Sequence, residues 1–329
     1  MLDFFSFSFN RACVKVKNKQ SEIKLGIIFL FLLIITITVH QFLPSTKKNF
    51  NEIEKAAIRL ATEWFTIIEK VKLEKRISFD EWKNIKHGAL LGKDFSDITT
   101  TLGTLEAKET ALNPEFAGLI CKWLLENKID STKTVGVIIS GSFPSIAISS
   151  LAAIQTIRAR ALIISSLGSS AYGANEPEAT WIDYETWLMN RSNFKFTSSV
   201  ITLGGENDSG GGLLEEGIEE LKVSVKRNNR ELYIPSSLEE SIFYKTNYLL
   251  KKNIFLLINI GGNQASIGSC NHSPVLPTGK WHDYSVCNHD LRGVISRIYE
   301  KGIPVIHLLN IRDLAVKNGI VIGKVYVFK

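Results

Sequence analysis

Short apolar runs that recur from residue 135 onward, each followed by a polar turn, constrain the fold most. Residues 135–140 read VGVIIS and residues 161–166 read ALIISS, without alternation of apolar and polar positions. Such a run is typical of a strand that is buried on both faces, as in a parallel sheet. Three further runs share the pattern, at residues 198–203, 253–260 and 304–308.

Helix-like segments lie between these runs, at residues 145–157, 178–190 and 213–226. Strands that alternate with helices are typical of βαβ units, whose crossovers place helices on the faces of a parallel sheet. The sequence therefore predicts an α/β domain over residues 77–329, with a doubly wound, mostly parallel sheet and helices on both faces.

The N-terminal part carries a different signal. Residues 25–43 read LGIIFLFLLIITITVHQFL, and a helix of that length spans roughly 28 Å, close to the hydrocarbon thickness of a bilayer. The alternatives are a buried core helix and a cleaved signal peptide. No polar stripe interrupts residues 25–35, and the following HQFLPS lacks the small-residue pattern of a cleavage site. We expect one uncleaved transmembrane helix.

Charge placement predicts the orientation of this helix. Residues 1–43 hold five basic and two acidic side chains, and positive residues that precede a span stay cytoplasmic. Residues 1–24 are thus predicted to be a short basic cytoplasmic segment, with the body outside the cytoplasmic membrane.

Residues 44–329 hold 34 basic and 31 acidic side chains. Because the positive and negative charges nearly balance, this part of the chain has no general excess of positive charge that would bind a phosphate backbone. We therefore expect no nucleic-acid partner.

A second helix is predicted directly after the span. Apolar residues recur at helical spacing through residues 49–75, including Ile53, Leu60, Trp64 and Val71. We interpret residues 44–76 as an amphipathic stalk that packs on the body.

Small and amide residues follow each predicted strand. Ligands of open parallel sheets bind outside the carboxyl ends of the strands, and each loop there leads to a helix N-terminus, which favours an anion. The predicted binding residues are Ser140, Gly141, Ser142, Ser169, Ser170, Gly204, Gly205, Asn263, Gln264, Asn310 and Arg312. No dinucleotide fingerprint or phosphate-binding P-loop is legible, and we expect no organic cofactor.

Catalytic roles are harder to assign. Ser142 stands between a strand and a helix, as a nucleophile would, but the G-x-S-x-G frame is missing, so it is a cap, a ligand contact or a nucleophile. Glu206 and Asp208 could form an acid–base pair, bind a hard cation, or belong to a solvated loop.

Two cysteines and three histidines lie close together near the C-terminal third of the chain: Cys270, His272, His282, Cys287 and His289. They could complete a tetrahedral zinc site, although the C-x-H spacing is not that of a standard finger. A disulfide between Cys270 and Cys287 is the competing interpretation, which export would favour, and free thiols are the third.

Several of these segments resemble the poly-gamma-glutamate system protein family of the PgsW type. The resemblance covers roughly residues 77–319 and rests on six blocks: ITTTLGTLEAK, SGSFPS, SSLGSSAYGANEPE, LGGENDSGGG, NIGGNQASIGSC and EKGIPVIHLLNIRDLA. It implies a protein with an N-terminal membrane segment, associated with the machinery that makes or exports poly-gamma-glutamate. The resemblance supplies a pathway and no catalytic residues.

Two functions remain. A γ-glutamyl chain carries one free carboxylate per residue, and helix N-termini with Arg312 and serine hydroxyls would suit such groups. The first hypothesis is that the protein is a membrane-anchored component of the capsule synthesis and export system and binds the polymer or partner subunits. The second is a hydrolase or transferase of γ-glutamyl amide bonds, which would use Ser142 or a metal at residues 270–289. We favour the first, because no complete catalytic motif is legible.

Overall fold

A parallel sheet organises the body of the protein. The computed structural model describes residues 24, 26–31, 50–268, 276–282 and 291–327. The main-sheet strands are β2 (Thr134–Ser140), β3 (Arg160–Ser166), β5 (Ser198–Thr202), β6 (Leu256–Ile260), β7 (Gly279–Lys280) and β8 (Val305–Leu308). Their order is β5-β3-β2-β6-β8-β7, and all neighbours are parallel except β7 and β8. The predicted mostly parallel sheet is confirmed.

Two short strands form a separate parallel pair beside the carboxyl ends of this sheet. They are β1 (Thr99–Thr101) and β4 (Ser169–Ser170). The sequence analysis predicts no strand or helix for residues 99–101. The pairing of β1 with β4 places these residues against the loop that follows β3.

Helices connect the strands. They are α1 (Glu52–Glu74), α2 (Leu105–Ala111), α3 (Glu115–Glu126), α4 (Pro144–Thr156), α5 (Trp181–Arg191), α6 (Glu215–Arg227), α7 (Leu238–Lys251), α8 (Gln264–Ile267), α9 (Val294–Glu300) and α10 (Ile311–Lys317). Short 3-10 helices lie at Asp80–Trp82 and Gly88–Leu90. The three helices that the sequence predicts between strands correspond to α4, α5 and α6.

Alternate residues of the strands pack on opposite faces of the sheet. Val137 and Ile139 of β2 join one apolar cluster, which includes residues of α1, α3 and α4, whereas Ile138 joins a second cluster with residues of α7 and α9. Both faces of the sheet are therefore covered by helices. This arrangement explains why the strands carry continuous apolar runs.

Helix α1 forms part of the first cluster. Its N-terminus is closed by a capping box of Asn51 and Glu54. Trp64, Phe65 and Ile68 are fully buried, and the helix packs against α3, α4 and α5. The sequence predicts that this helix packs on the body as a stalk, and in the structure it belongs to the same compact unit as the sheet, residues 48–329.

The predicted transmembrane helix falls mostly on residues whose structure is not described. Within residues 25–43, the described positions are 26–31, which are helical and exposed. Among all described residues, no helix has both the length and the apolar character needed to cross a membrane.

Candidate functional site

The strand order creates a switch point at which a ligand site is expected. From β2 the chain continues to β3 and β5 on one side and later to β6 and β8 on the other. Loops that leave β2 and β6 therefore diverge and open a crevice. A cleft of about 540 Å³ lies there. Of the residues proposed from the sequence, those that line it are Ser140, Ser142, Ser170, Gly205, Glu206, Asn263 and Gln264.

Three other predicted binding residues are packed next to the cleft without lining it. Gly141, Ser169 and Gly204 are buried, and the Ser169 hydroxyl donates to the carbonyl oxygen of Ser170 at 2.9 Å. A Cβ on Gly141 would lie 2.6 Å from the carbonyl oxygen of Leu167. These residues let the loops after β2 and β3 pack together and are not among the residues that line the cleft.

Arg312 and Asn310 also lie outside the cleft lining. The Arg312 guanidinium Nε lies 3.0 Å from the Glu106 carboxylate, and both side chains are about half exposed. Asn310 is exposed and has a left-handed backbone conformation. The cation that the sequence analysis assigns to the crevice thus forms a surface ion pair.

The cation that does line the cleft is Lys108 of α2. Only 3% of this residue is exposed. Its Nζ donates to the Ser142 carbonyl oxygen and, at 2.7 Å, to the Ser170 hydroxyl oxygen. It also lies 4.0 Å from the centre of the Phe143 ring. Because burial disfavours the charged form, the pKa of Lys108 is lowered to about 7.

A glycine allows Lys108 to reach this position. Gly103 precedes α2, and a Cβ on it would lie 2.9 Å from the Ala171 carbonyl oxygen and 3.3 Å from the Ser170 hydroxyl oxygen. Only a residue without a side chain lets this segment lie directly over Ser170. The pairing of β1 with β4 holds the same segment in place.

Three serines connect the loops after β2 and β3. The Ser140 hydroxyl donates to the Ser142 hydroxyl oxygen at 2.9 Å, and the Ser170 backbone N–H donates to the same oxygen at 3.0 Å. A hydroxyl oxygen has two acceptor positions and one proton to donate. The Ser142 proton is therefore free to point into the cleft.

Helix α4 begins at the cleft. Its N-cap residue, Phe143, makes no side-chain capping hydrogen bond, and Pro144 is its first residue. The positive end of the helix dipole favours negative charge at this position. Lys108 and α4 together make this end of the cleft suited to an anion.

Asp208 lies below the cleft and not in it. It is fully buried, and its carboxylate lies 2.5 Å from the Lys245 Nζ of α7, which is buried as well. Burial opposes ionisation, but Lys245 and hydrogen bonds from Ser241 and Asn263 hold the pKa of Asp208 below its usual value. These bonds orient the Asn263 side chain at the cleft floor. Asp208 thus positions the loop, whereas Glu206 is exposed at the cleft wall.

The proposed metal and disulfide residues fall mostly on positions whose structure is not described. Of the five, only His282 is described, and it is exposed. Among the described residues no group of three or more histidine, cysteine, aspartate or glutamate side chains is arranged to hold a metal ion. Cys270, His272, Cys287 and His289 are outside the described ranges, so zinc, disulfide and free thiol all stay predictions.

Comparison with known proteins adds no relative. No protein-family model matches the chain, and neither a curated protein nor a solved structure shows significant similarity to it. The resemblance to the poly-gamma-glutamate system protein family therefore stays a prediction.

Proposed function

We propose that the cleft binds the carboxylates of a γ-glutamyl chain, and that the protein is a membrane-anchored component of a poly-gamma-glutamate synthesis and export system. The observation that carries this proposal is the position of Lys108, a buried amine that lines the cleft. Both hydrogen bonds of its Nζ go to uncharged oxygens. A ligand carboxylate would provide the negative charge that these oxygens do not.

The surroundings of Lys108 favour a carboxylate at this end of the cleft. A bound carboxylate would accept a charge-assisted hydrogen bond from Nζ and another from the Ser142 hydroxyl, near the positive end of α4. Glu206, on the loop after β5, would repel an anion there. An α-carboxylate of a γ-glutamyl chain would therefore bind at the Lys108 end of the cleft, and the amide nitrogen on the same α-carbon would lie beside it.

Replacement of Lys108 by methionine tests this site. We expect Lys108→Met to weaken the binding of a γ-glutamyl pentamer ten- to a hundred-fold, equivalent to a charge-assisted contact of roughly 1.5–3 kcal/mol. Titration calorimetry on the full-length protein measures the change. Lys122→Met is the matched control, because Lys122 is a half-exposed lysine on α3. An unchanged dissociation constant in Lys108→Met, with the fold intact, would contradict the proposal.

The pH dependence of binding gives a second check on the same residue. The lowered pKa of Lys108, about 7, means that the cationic form predominates below pH 7 and is lost above it. Affinity for the pentamer should therefore fall as the pH rises through about 7. Lys108→Met should abolish this dependence, and a wild-type affinity that is constant between pH 6 and 8 would exclude Lys108 as the contact.

Membrane anchoring by residues 25–43 is the second part of the proposal, and the apolar run and the charges before it support it. A reporter enzyme that is active only after export, fused after Lys329, should be active. A cytoplasm-only reporter at the same position should be silent. The opposite pair of results would place the body in the cytoplasm and remove the export context that favours the Cys270–Cys287 disulfide.

A further inference from the structure

We propose that Ser170 and Lys108 form a nucleophile–base pair that cleaves or transfers amide bonds of the bound chain. The choice of a γ-glutamyl amide as substrate rests on the proposed function. The catalytic pair itself rests on geometry: the Lys108 Nζ lies 2.7 Å from the Ser170 hydroxyl oxygen, and both residues line the same cleft. A serine activated by an adjacent lysine is a known form of nucleophilic catalysis.

The backbone around Ser170 is held in place from several sides. Its N–H donates to the Ser142 hydroxyl oxygen at 3.0 Å, and its carbonyl oxygen accepts from the Gly173 N–H at 3.1 Å. The next N–H, of Ala171, donates to the Thr101 carbonyl oxygen at 2.9 Å. A nucleophile that is fixed before the substrate binds loses little freedom in the reaction.

The charged groups near Lys108 leave its amine available to accept a proton. On its own helix, Glu106 pairs with Arg312 and Glu109 lies 3.7 Å from Lys324. Glu206, from the loop after β5, is the carboxylate that lines the cleft. Burial lowers the pKa of Lys108 to about 7, so the neutral amine is populated at neutral pH. In that form the 2.7 Å contact allows the Ser170 hydroxyl to donate its proton to Nζ.

The reaction balances with these two groups and water. The Ser170 oxygen bonds to the amide carbonyl carbon as its proton passes to the Lys108 Nζ. The carbon–nitrogen bond then breaks, and the Lys108 ammonium gives that proton to the leaving amine, which leaves an ester on Ser170. Water, or an acceptor amine in a transfer reaction, attacks this ester and loses a proton to Lys108. The carbon–oxygen bond to Ser170 breaks, and the proton returns to the Ser170 oxygen.

Ser142 has a different role in this arrangement. Lys108 contacts the Ser142 carbonyl oxygen, whereas the Ser142 hydroxyl oxygen accepts from Ser140 and from the Ser170 backbone. Ser142 is therefore a positioning residue that holds Ser170, and its proton is free to be donated to a ligand. The proposed nucleophile is therefore Ser170, whereas the candidate from the sequence is Ser142.

Two substitutions separate catalysis from binding. We expect Ser170→Ala to bind the γ-glutamyl pentamer with a dissociation constant within about threefold of wild type, and to lose turnover by about a thousandfold or more. Lys108→Arg keeps the positive charge but cannot accept a proton near neutral pH, so it should keep binding and lose turnover. Turnover is measured on the full-length protein as new amino ends, with and without glycine amide as acceptor. Lys122→Met serves as the unaffected control.

A pH profile and a covalent probe complete the test. The wild-type kcat/KM should rise as the pH increases through about 7, opposite to the affinity, because turnover requires the amine form of Lys108. A fluorophosphonate probe should label Ser170, as read by peptide mass spectrometry, and the label should be absent in Ser170→Ala and weak in Lys108→Arg.

The possible failures point to different parts of the account. Retained turnover in Ser170→Ala, or labelling of Ser142, would overturn the Ser170–Lys108 pair. A wild-type protein that binds the pentamer but neither cleaves nor transfers it, and takes no label, would also overturn the pair and leave the proposed binding function intact. A wild-type protein that takes the label at Ser170 without binding the pentamer would support the pair and overturn the γ-glutamyl substrate.

Discussion

Replacement of Lys245 by methionine should lower the free energy of unfolding by about 3–5 kcal/mol, because the Asp208 carboxylate would be left buried without its counter-charge. Both side chains have no exposed surface, and the two charged groups lie 2.5 Å apart. Ser241, Thr202 and Asn263 donate to the same carboxylate at 2.6–3.0 Å. Denaturant unfolding of the full-length protein measures the loss.

An exposed ion pair provides the matched control for this prediction. Lys222 and Glu219 lie 2.6 Å apart on the surface of α6, and Lys222→Met should change stability by less than about 1 kcal/mol. The double variant Lys245→Met with Asp208→Asn removes both charges and should recover part of the loss. Equal effects of Lys245→Met and Lys222→Met would show that the buried pair does not hold the loop after β5.

The second large effect concerns helix α1. Trp64→Ala should destabilise the protein by about 3–5 kcal/mol, because it removes a large side chain from a packed interior. Trp64 is fully buried, and its ring lies 4.9 Å from that of Phe194. Leu73→Ala, on the same helix, should have little effect, since Leu73 is 62% exposed. A small loss in both variants would mean that α1 packs on the body as a peripheral stalk.

The sheet could be predicted from the sequence because burial on both faces leaves a local signal. Residues 135–140 and 161–166 are apolar without alternation, and they form β2 and β3 within one residue of the predicted bounds. Helix α7 left no comparable signal. Phe243 and Tyr244 are exposed on it while Lys245 is buried, so its pattern of apolar residues does not match its buried face.

The loop residues of the cleft could be predicted because parallel strands end at one edge of a sheet. Lys108 could not, because its burial depends on the pairing of β1 with β4, about seventy residues apart in sequence. The assignment of Arg312 to the crevice also depended on a tertiary contact that the sequence does not show. Its partner Glu106 is distant in sequence, and an unpaired arginine near a strand end is indistinguishable from a paired one until the tertiary contact is known.

The most direct measurement of the central claim is the pKa of Lys108 with and without ligand. An NMR titration of the full-length protein follows the side-chain resonance of Lys108, which is assigned by its absence in Lys108→Met. We predict a pKa of about 7 for the free protein and a higher pKa when a γ-glutamyl pentamer is bound, because nearby carboxylates stabilise the ammonium form. A pKa that the pentamer leaves unchanged, at a concentration that saturates its binding, would contradict the assignment of this cleft as the γ-glutamyl site.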